Sequence, residues 1–288
     1  MSRARRKRAD CALASDGTMG LEVVVEGMGM HTASSSRVAF IPTLGEVRVS
    51  VGCVGTAVLD LNVVSSAWCT AVAPTGGDFR LATVEHLFAA LAGLGLYEGV
   101  TVAVDGCEIP ILDGGSLAWC DALRKLRLPR TRPKARVARR GVVEVGQSRY
   151  EFEPFDGIGL EVALALSDQR LAPEARWDGD EADFCSRIAP ARTFALERDI
   201  DTILGLGLAR HVPPASVVII RRDVVESAGH PFSSDEPARH KLLDLVGDLF
   251  LFGGPPIGRV RAVRPGHTAN AIALQRARTE GLLVKHRS

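Results

Sequence analysis

The stretch DEPARHKLLDLVGDLF (235–250) carries four ionisable side chains at helical spacing: His240, Lys241, Asp244 and Asp248. At roughly 100° per residue, with His240 at zero, Asp244 falls near 40°, Asp248 near 80° and Lys241 near 100°. Leu242, Leu243, Leu245, Val246, Leu249 and Phe250 fill the opposite arc. The polar groups therefore form one stripe. One reading is the solvated face of an ordinary amphipathic helix, capped by Asp235 or Ser234. The other is that His and Asp, one turn apart and pointing the same way, hold one metal ion together. A single helix does not decide. A third ligand and a catalytic base have to come from elsewhere in the chain.

"TVEHL" (83–87) offers both. Glu85 and His86 sit at a helix start and differ by about 100°, so one binds metal while the other flanks a bound water. A catalytic zinc site usually has three protein ligands and one open position. His86, His240 and Asp244 meet that count, leaving Glu85 as general base. Two imidazoles and a carboxylate suit a borderline ion, Zn2+ with Fe2+ as the alternative. Taken singly, His86 also reads as a satisfied core histidine.

These residues need elements to position them. Alternation in LEVVVE (21–26), SRVAFIP (36–42), VRVSVGCV (47–54) and VTVAVDG (100–106) predicts strands. TVEHLFAALAGLGL (83–96) predicts a helix with Thr83 as N-cap, and SLAWCDALRKL (116–126) a second. PRTRPKARVARR (129–140) reads as a linker whose basic run is solvated or helps neutralise a phosphate. Beyond it, GVVEV (141–145), YEFEPF (150–155), LEVALALS (160–167), SVVIIRRDVV (216–225) and VRAVRPGH (260–267) are extended, while RTFALERDIDTILGLG (192–207) and TANAIALQRARTEG (268–281) are helical. HLFAALAGLGL and HKLLDLVGDLF each begin with His and place Gly seven residues on, at Gly93 and Gly247. The expected fold is therefore α+β: two similar sandwich domains, 20–128 and 141–288, meeting across a cleft.

The totals agree with a soluble globular protein. The chain has 288 residues, 46% hydrophobic and 24% charged, with formal net charge +1. That charge gives no global pull toward nucleic acid or anionic membrane. At 5%, aromatics are too few for base-stacking surfaces. Six scattered cysteines without a CxxC pair suit reduced thiols. Reduced thiols make the expected location cytoplasmic, and no apolar run is long enough to span a bilayer. Residues 1–19 read as a flexible basic tail, with phosphate or membrane contact the minor alternative.

Several segments together resemble one family: GMGMHT (27–32), TVEHLFAALAGLG (83–95), EIPILDG (108–114), ARTFALERDI (191–200), RHKLLDLVGDLF (239–250) and GHTAN (266–270). In this order they are similar to UDP-3-O-acyl-N-acetylglucosamine deacetylases, zinc amidohydrolases of lipid A biosynthesis. The resemblance implies helices packed between the sheets and the active site at the domain interface. It implies His86, His240 and Asp244 as zinc ligands and Glu85 as the base activating water. It further implies that Thr193 and Lys241 support the oxyanion. His267, paired with Asp248, would be a cationic stabiliser or the acid for the leaving amine. His31 and Phe194 would hold the UDP-linked acylated amino sugar, with Lys241 nearby. Asp199 matches a family position without an assignable role; His31 also reads as a buried turn histidine.

The chain departs from the family pattern in places. Ala33 stands where Gly is usual, and Gly115 precedes Ser116 where Ser commonly follows directly. ARHVPPASVVII (209–220) replaces a Gly-Gly-Ser stretch near the acyl passage, and Pro213 and Pro214 stiffen it. Two alternatives follow: the same chemistry on a different acylated nucleotide sugar, or a non-catalytic metal-binding homologue.

Overall fold

The computed structural model describes residues 22–65, 67–165 and 168–286. The basic tail expected over 1–19 lies outside the described residues. In the first half the strands are β1 (Val23–Met28), β2 (Ser35–Glu46), β3 (Arg48–Val51), β4 (Val54–Ala57), β5 (Leu61–Ser65), β6 (Ala71–Pro74) and β7 (Glu98–Asp105). Helix α1 (Glu85–Gly93) precedes β7 and α2 (Leu117–Arg124) follows it. The second half has β8 (Ala135–Val137), β9 (Gly141–Val145), β10 (Ser148–Glu153), β11 (Ile158–Ala163), β12 (Glu174–Trp177), β13 (Thr193–Leu196), β14 (Val217–Ile220), β15 (Val225–Ser227), β16 (Gly258–Val263) and β17 (Leu283–Lys285). Its main helices are α3 (Glu197–Gly205), α4 (Glu236–Phe250) and α5 (His267–Thr279).

The two halves share one topology. One five-stranded sheet runs β1-β2-β7-β3-β4 and the other β9-β10-β16-β11-β12. Both have the same sequence of pairings along that order: antiparallel, antiparallel, parallel, antiparallel. Parallel neighbours cannot be joined by a tight turn and need a crossover, usually helical. The crossover from β3 to β7 contains α1, and that from β11 to β16 contains α4. Both candidate ligand helices thus arise from the same topological requirement. The symmetry expected from the short His…Gly match extends to the two five-stranded sheets and their crossover helices, an α+β fold of two similar sheet-and-helix halves.

These two helices form the centre of one continuous core. Every residue of α1 is buried, and on α4 only Arg239 and Lys241 are not. A helix buried all round belongs inside a sandwich rather than on its surface. The two glycines of the repeat permit close approach. A Cβ on Gly247 would lie 2.0 Å from the Glu85 carbonyl oxygen, and one on Gly93 would lie 2.2 Å from the Phe184 ring. Phe250 stacks on Tyr97 at 5.6 Å and meets Phe88 at 5.5 Å, closing the far end of the α1–α4 contact. Side chains such as Leu87, Phe88, Leu243 and Phe250 each contribute about 1.5–3 kcal/mol on burial.

Several local expectations are corrected. Thr83 does not cap α1: its φ is +58° and its hydroxyl donates to Glu108, leaving Val84 at the N-cap position. Asp235 sits at the α4 N-cap with helical dihedrals and makes no capping bond; its carboxylate is taken by Ser233 and Arg239. The 129–140 stretch is tied to the body. Thr131 bonds Gly95, Lys134 bonds the Gly253 carbonyl, and β8 pairs with β17. Residues 193–196 are a strand rather than the start of a helix, because they pair in parallel with β14. No helix among the described residues is long and apolar enough to cross a membrane.

Candidate metal and active site

The N-terminal turn of α1 and the middle of α4 meet at three groups. His86, His240 and Asp244 offer ligand atoms that all lie within 4.8 Å of one another, and all three are buried. The imidazoles stand edge to face, with centroids 5.1 Å apart. Asp244 Oδ1 lies 3.6 Å from His86 Nε2 and 3.4 Å from His240 Nε2. It is buried and has no hydrogen-bond partner. A buried carboxylate oxygen without a donor is costly, and one facing two imidazole nitrogens fits a cation between them. His240 Nδ1 lies 3.0 Å from the Ala191 carbonyl, which selects the Nδ1–H tautomer and leaves the Nε2 lone pair toward the cluster. Burial lowers the His240 pKa to about 4, so this imidazole is neutral near pH 7.

The other carboxylate oxygen, Asp244 Oδ2, accepts a 2.7 Å bond from Lys241 and lies 3.7 Å from His267 Nε2. Burial opposes ionisation of Asp244, but His240, Lys241 and His267 outweigh it and hold its carboxyl well below the usual range. Lys241 also lies 5.5 Å from the Phe194 ring centroid, while Phe194 meets His240 edge-on at 6.1 Å.

Glu85, the first residue of α1, is buried, and that burial raises its pKa. One oxygen, Oε2, accepts the Thr70 backbone N–H at 3.0 Å; the other, Oε1, lies 3.9 Å from His267 Nε2. His267 opens α5. Its Nδ1 lies 3.0 Å from Asp248 Oδ2. Burial alone would lower the His267 pKa, but Asp248, Asp244 and Glu85 together raise it to about 9. Asp248 is held in turn by Thr70 Oγ1 at 2.6 Å and Asn270 Nδ2 at 2.7 Å, and Tyr150 donates to Asn270 at 2.6 Å.

These groups close one end of a cavity of about 630 Å³. Thr193, Phe194, His31 and Asp199 also line it; Asp248 does not, and stands behind His267. Much of the remaining wall is apolar, built by Ile200, Ile203 and Leu204 of α3 with Val212, Val217 and Ile219 around β14, and Thr83 and Arg264 also line it. His31 is placed by Glu108, which is fully buried. That carboxylate accepts the backbone N–H of His31 and of Thr32 at 2.9 Å each, and the hydroxyls of Thr32 and Thr83. Burial opposes its ionisation, but these donors outweigh it and lower its pKa. Ala33 adopts φ +53°, a conformation glycine takes without strain. Ser116 donates its hydroxyl to the His86 carbonyl at 2.7 Å.

Thr70, Asn270, Tyr150 and Glu108 were not assigned roles from sequence. Asn270 and Glu108 sit within segments that carry the family resemblance. Thr70 and Tyr150 have no local signal, since their partners are far away along the chain.

Two imidazoles and a shared carboxylate, with a second buried carboxylate–imidazole pair beside them, line a largely apolar cavity and could hold a cation and move protons. The family of UDP-3-O-acyl N-acetylglycosamine deacetylases matches residues 16–278. The UDP-3-O-acyl-N-acetylglucosamine deacetylase of Phenylobacterium zucineum is 31% identical over 263 residues, 88% of this chain and 89% of that protein. The proteins of the same name from Brucella ovis and Brucella melitensis are each 30% identical over 270 residues, 90% of this chain and 93% of theirs. The chain belongs to the UDP-3-O-acyl-N-acetylglucosamine deacetylase family.

Proposed function

We propose that the protein hydrolyses the N-acetyl amide of a UDP-linked, 3-O-acylated N-acetylglucosamine, releasing acetate in lipid A biosynthesis. In this reading His86, His240 and Asp244 hold one Zn2+, with Fe2+ the alternative. The observation that carries it is the unpartnered, buried Asp244 Oδ1, set 3.4–3.6 Å from two imidazole nitrogens. When bound, the ion lowers the pKa of a water and polarises the amide carbonyl.

The chain's own groups supply the rest. Glu85 takes the proton of the attacking water at Oε1, since Oε2 is tied to Thr70. Its raised pKa makes it a stronger base than an exposed carboxylate. Thr193 and Lys241 line the cavity where the carbonyl oxygen gains charge, and donors of this kind are worth about 3–4 kcal/mol each. His267 carries the proton for the departing amine nitrogen, and Asp248 keeps it charged. The apolar arm along α3 and β14 takes the acyl chain, while His31 and Phe194 orient the sugar nucleotide.

The test is acetate release from this substrate by metal-stripped and zinc-reconstituted protein, with metal analysis of wild type and His240→Ala. Activity that survives stripping, or full metal content in the variant, refutes the reading. A second reading changes only the acyl sugar. It rests on Val212, which lines the cavity immediately before Pro213 and Pro214. A panel of acylated nucleotide sugars separates the two.

A further inference from the structure

The acid–base pair is held by a residue outside the cavity. Thr70 immediately precedes β6 and is buried. It does not line the cavity. Its backbone N–H donates to Glu85 Oε2 at 3.0 Å, and its hydroxyl donates to Asp248 Oδ1 at 2.6 Å. The same hydroxyl oxygen lies 3.2 Å from His267 Nδ1. One residue of the first half thereby touches a carboxylate on α1, a carboxylate on α4 and an imidazole on α5.

The directions of these bonds have consequences. With Oδ1 occupied by Thr70, the Asp248 carboxylate presents Oδ2 to His267 and to Asn270 Nδ2, whose own orientation is set by the Tyr150 hydroxyl. A carboxylate with both oxygens bound cannot rotate, so the His267 ring it holds cannot rotate either. With Oε2 occupied by the Thr70 amide, Glu85 presents Oε1 toward the His267 side of the cavity. Both ends of the proton path are therefore referenced to one short segment.

We infer that Thr70 is a positioning residue for hydrolysis: its amide and hydroxyl lock Glu85 and the Asp248–His267 pair in mutual register. This rests on the proposed reading of Glu85 and His267 as base and acid. Outer contacts of this kind typically change activity by about 10–100-fold when removed. Thr70→Val keeps the backbone amide and nearly the same shape but loses the hydroxyl; Thr70→Ser keeps the hydroxyl.

The experiment measures kcat and KM for zinc-loaded wild type, Thr70→Val and Thr70→Ser, and records the His267 Nδ1 proton by NMR on the same samples. The expectation is a fall of about 10–100-fold in kcat for Thr70→Val with KM within about twofold, and recovery to within a few-fold of wild type in Thr70→Ser. The hydrogen-bonded Nδ1 proton should be sharp in wild type and Thr70→Ser, and shifted or lost in Thr70→Val. Unchanged kcat with an unchanged proton signal in Thr70→Val overturns the inference. So does a kcat loss that serine fails to restore. A wild type that releases no acetate overturns the functional reading, and the proton signal then judges Thr70 by itself.

Discussion

Gly247→Ala sets two principles against each other. Gly247 lies inside α4, where alanine is favoured over glycine by roughly 1 kcal/mol on propensity. Its packing demands the opposite: the new Cβ would stand 2.0 Å from the Glu85 carbonyl oxygen and 2.7 Å from its carbon. The obstacle is backbone inside a buried helix, so no rotamer change relieves it. Restoring ordinary contact near 3.4 Å requires α1 and α4 to separate by more than about 1 Å. A clash with backbone sits in the upper part of the about 1–3 kcal/mol range for overpacking, at about 2–3 kcal/mol, so propensity offsets only part of it and the net loss is about 1–2 kcal/mol. For a chain of this size that is a Tm drop of several degrees. The functional loss should be larger. The separation acts directly on Glu85 and His86 against His240 and Asp244, and misplacement by 1 Å costs about 100-fold. The assay is thermal unfolding, zinc stoichiometry and acetate release for Gly247→Ala beside Gly205→Ala. Gly205 ends α3 with open space around its Cβ position and should be neutral or stabilised by up to about 1 kcal/mol. A Gly247→Ala protein as stable and active as wild type would refute the reasoning.

Other consequences are equally open to measurement. Arg192 and Glu236 form a buried pair with side chains 1% and 2% exposed, so Arg192→Met, which strands the carboxylate, should cost about 3–5 kcal/mol in denaturant unfolding at pH 7. Burial opposes ionisation of Glu236, but Arg192 outweighs it and holds its pKa below 4.5. In wild type the stability this adds is present above pH 4.5 and lost as pH falls through the folded value. With Met at 192 the backbone N–H still donates to Glu236 and His230 still acts on it, but the guanidinium is gone and burial weighs more heavily, so the variant should gain stability relative to wild type on acidification from pH 7. Ile203→Trp, adding bulk inside the 630 Å³ cavity, should lower kcat/KM for long-acyl substrates more than for short ones; equal losses would place the chain elsewhere.

How much of this was legible in the sequence depended on the range of the interactions. His240, Asp244 and Asp248 were visible because a helix repeats every 3.6 residues, so a stripe along one turn is local information. His86 and Glu85 were visible as adjacent groups at a helix start, although only the fold shows the imidazoles meeting at 5.1 Å. Thr70 was invisible because its partner Asp248 lies 178 positions away. Local rules misled where a polar side chain had a stronger distant claim on it. Thr83 resembles an N-cap, yet a fully buried Glu108 takes its hydroxyl. Thr193–Leu196 fits a helical pattern in isolation, yet β14 offers a ladder that wins the segment. The polar stripe of α4 reads as a solvent face on the wheel. All of it except Lys241 is buried, because a second helix and a cavity, rather than water, lie opposite it.

The repeated strand order makes the chain a covalently tethered pair of like units, with the trio of His86, His240 and Asp244 divided between them. One copy contributes a single imidazole, the other an imidazole and a carboxylate, so neither owns a complete centre. Two separate halves would have to meet in solution to assemble the same three groups, at a rate set by their concentration. Tethering replaces that encounter with a high effective concentration. Among the described residues only the second half carries the three-stranded sheet β13–β15, of which β13 and β14 wall the cavity.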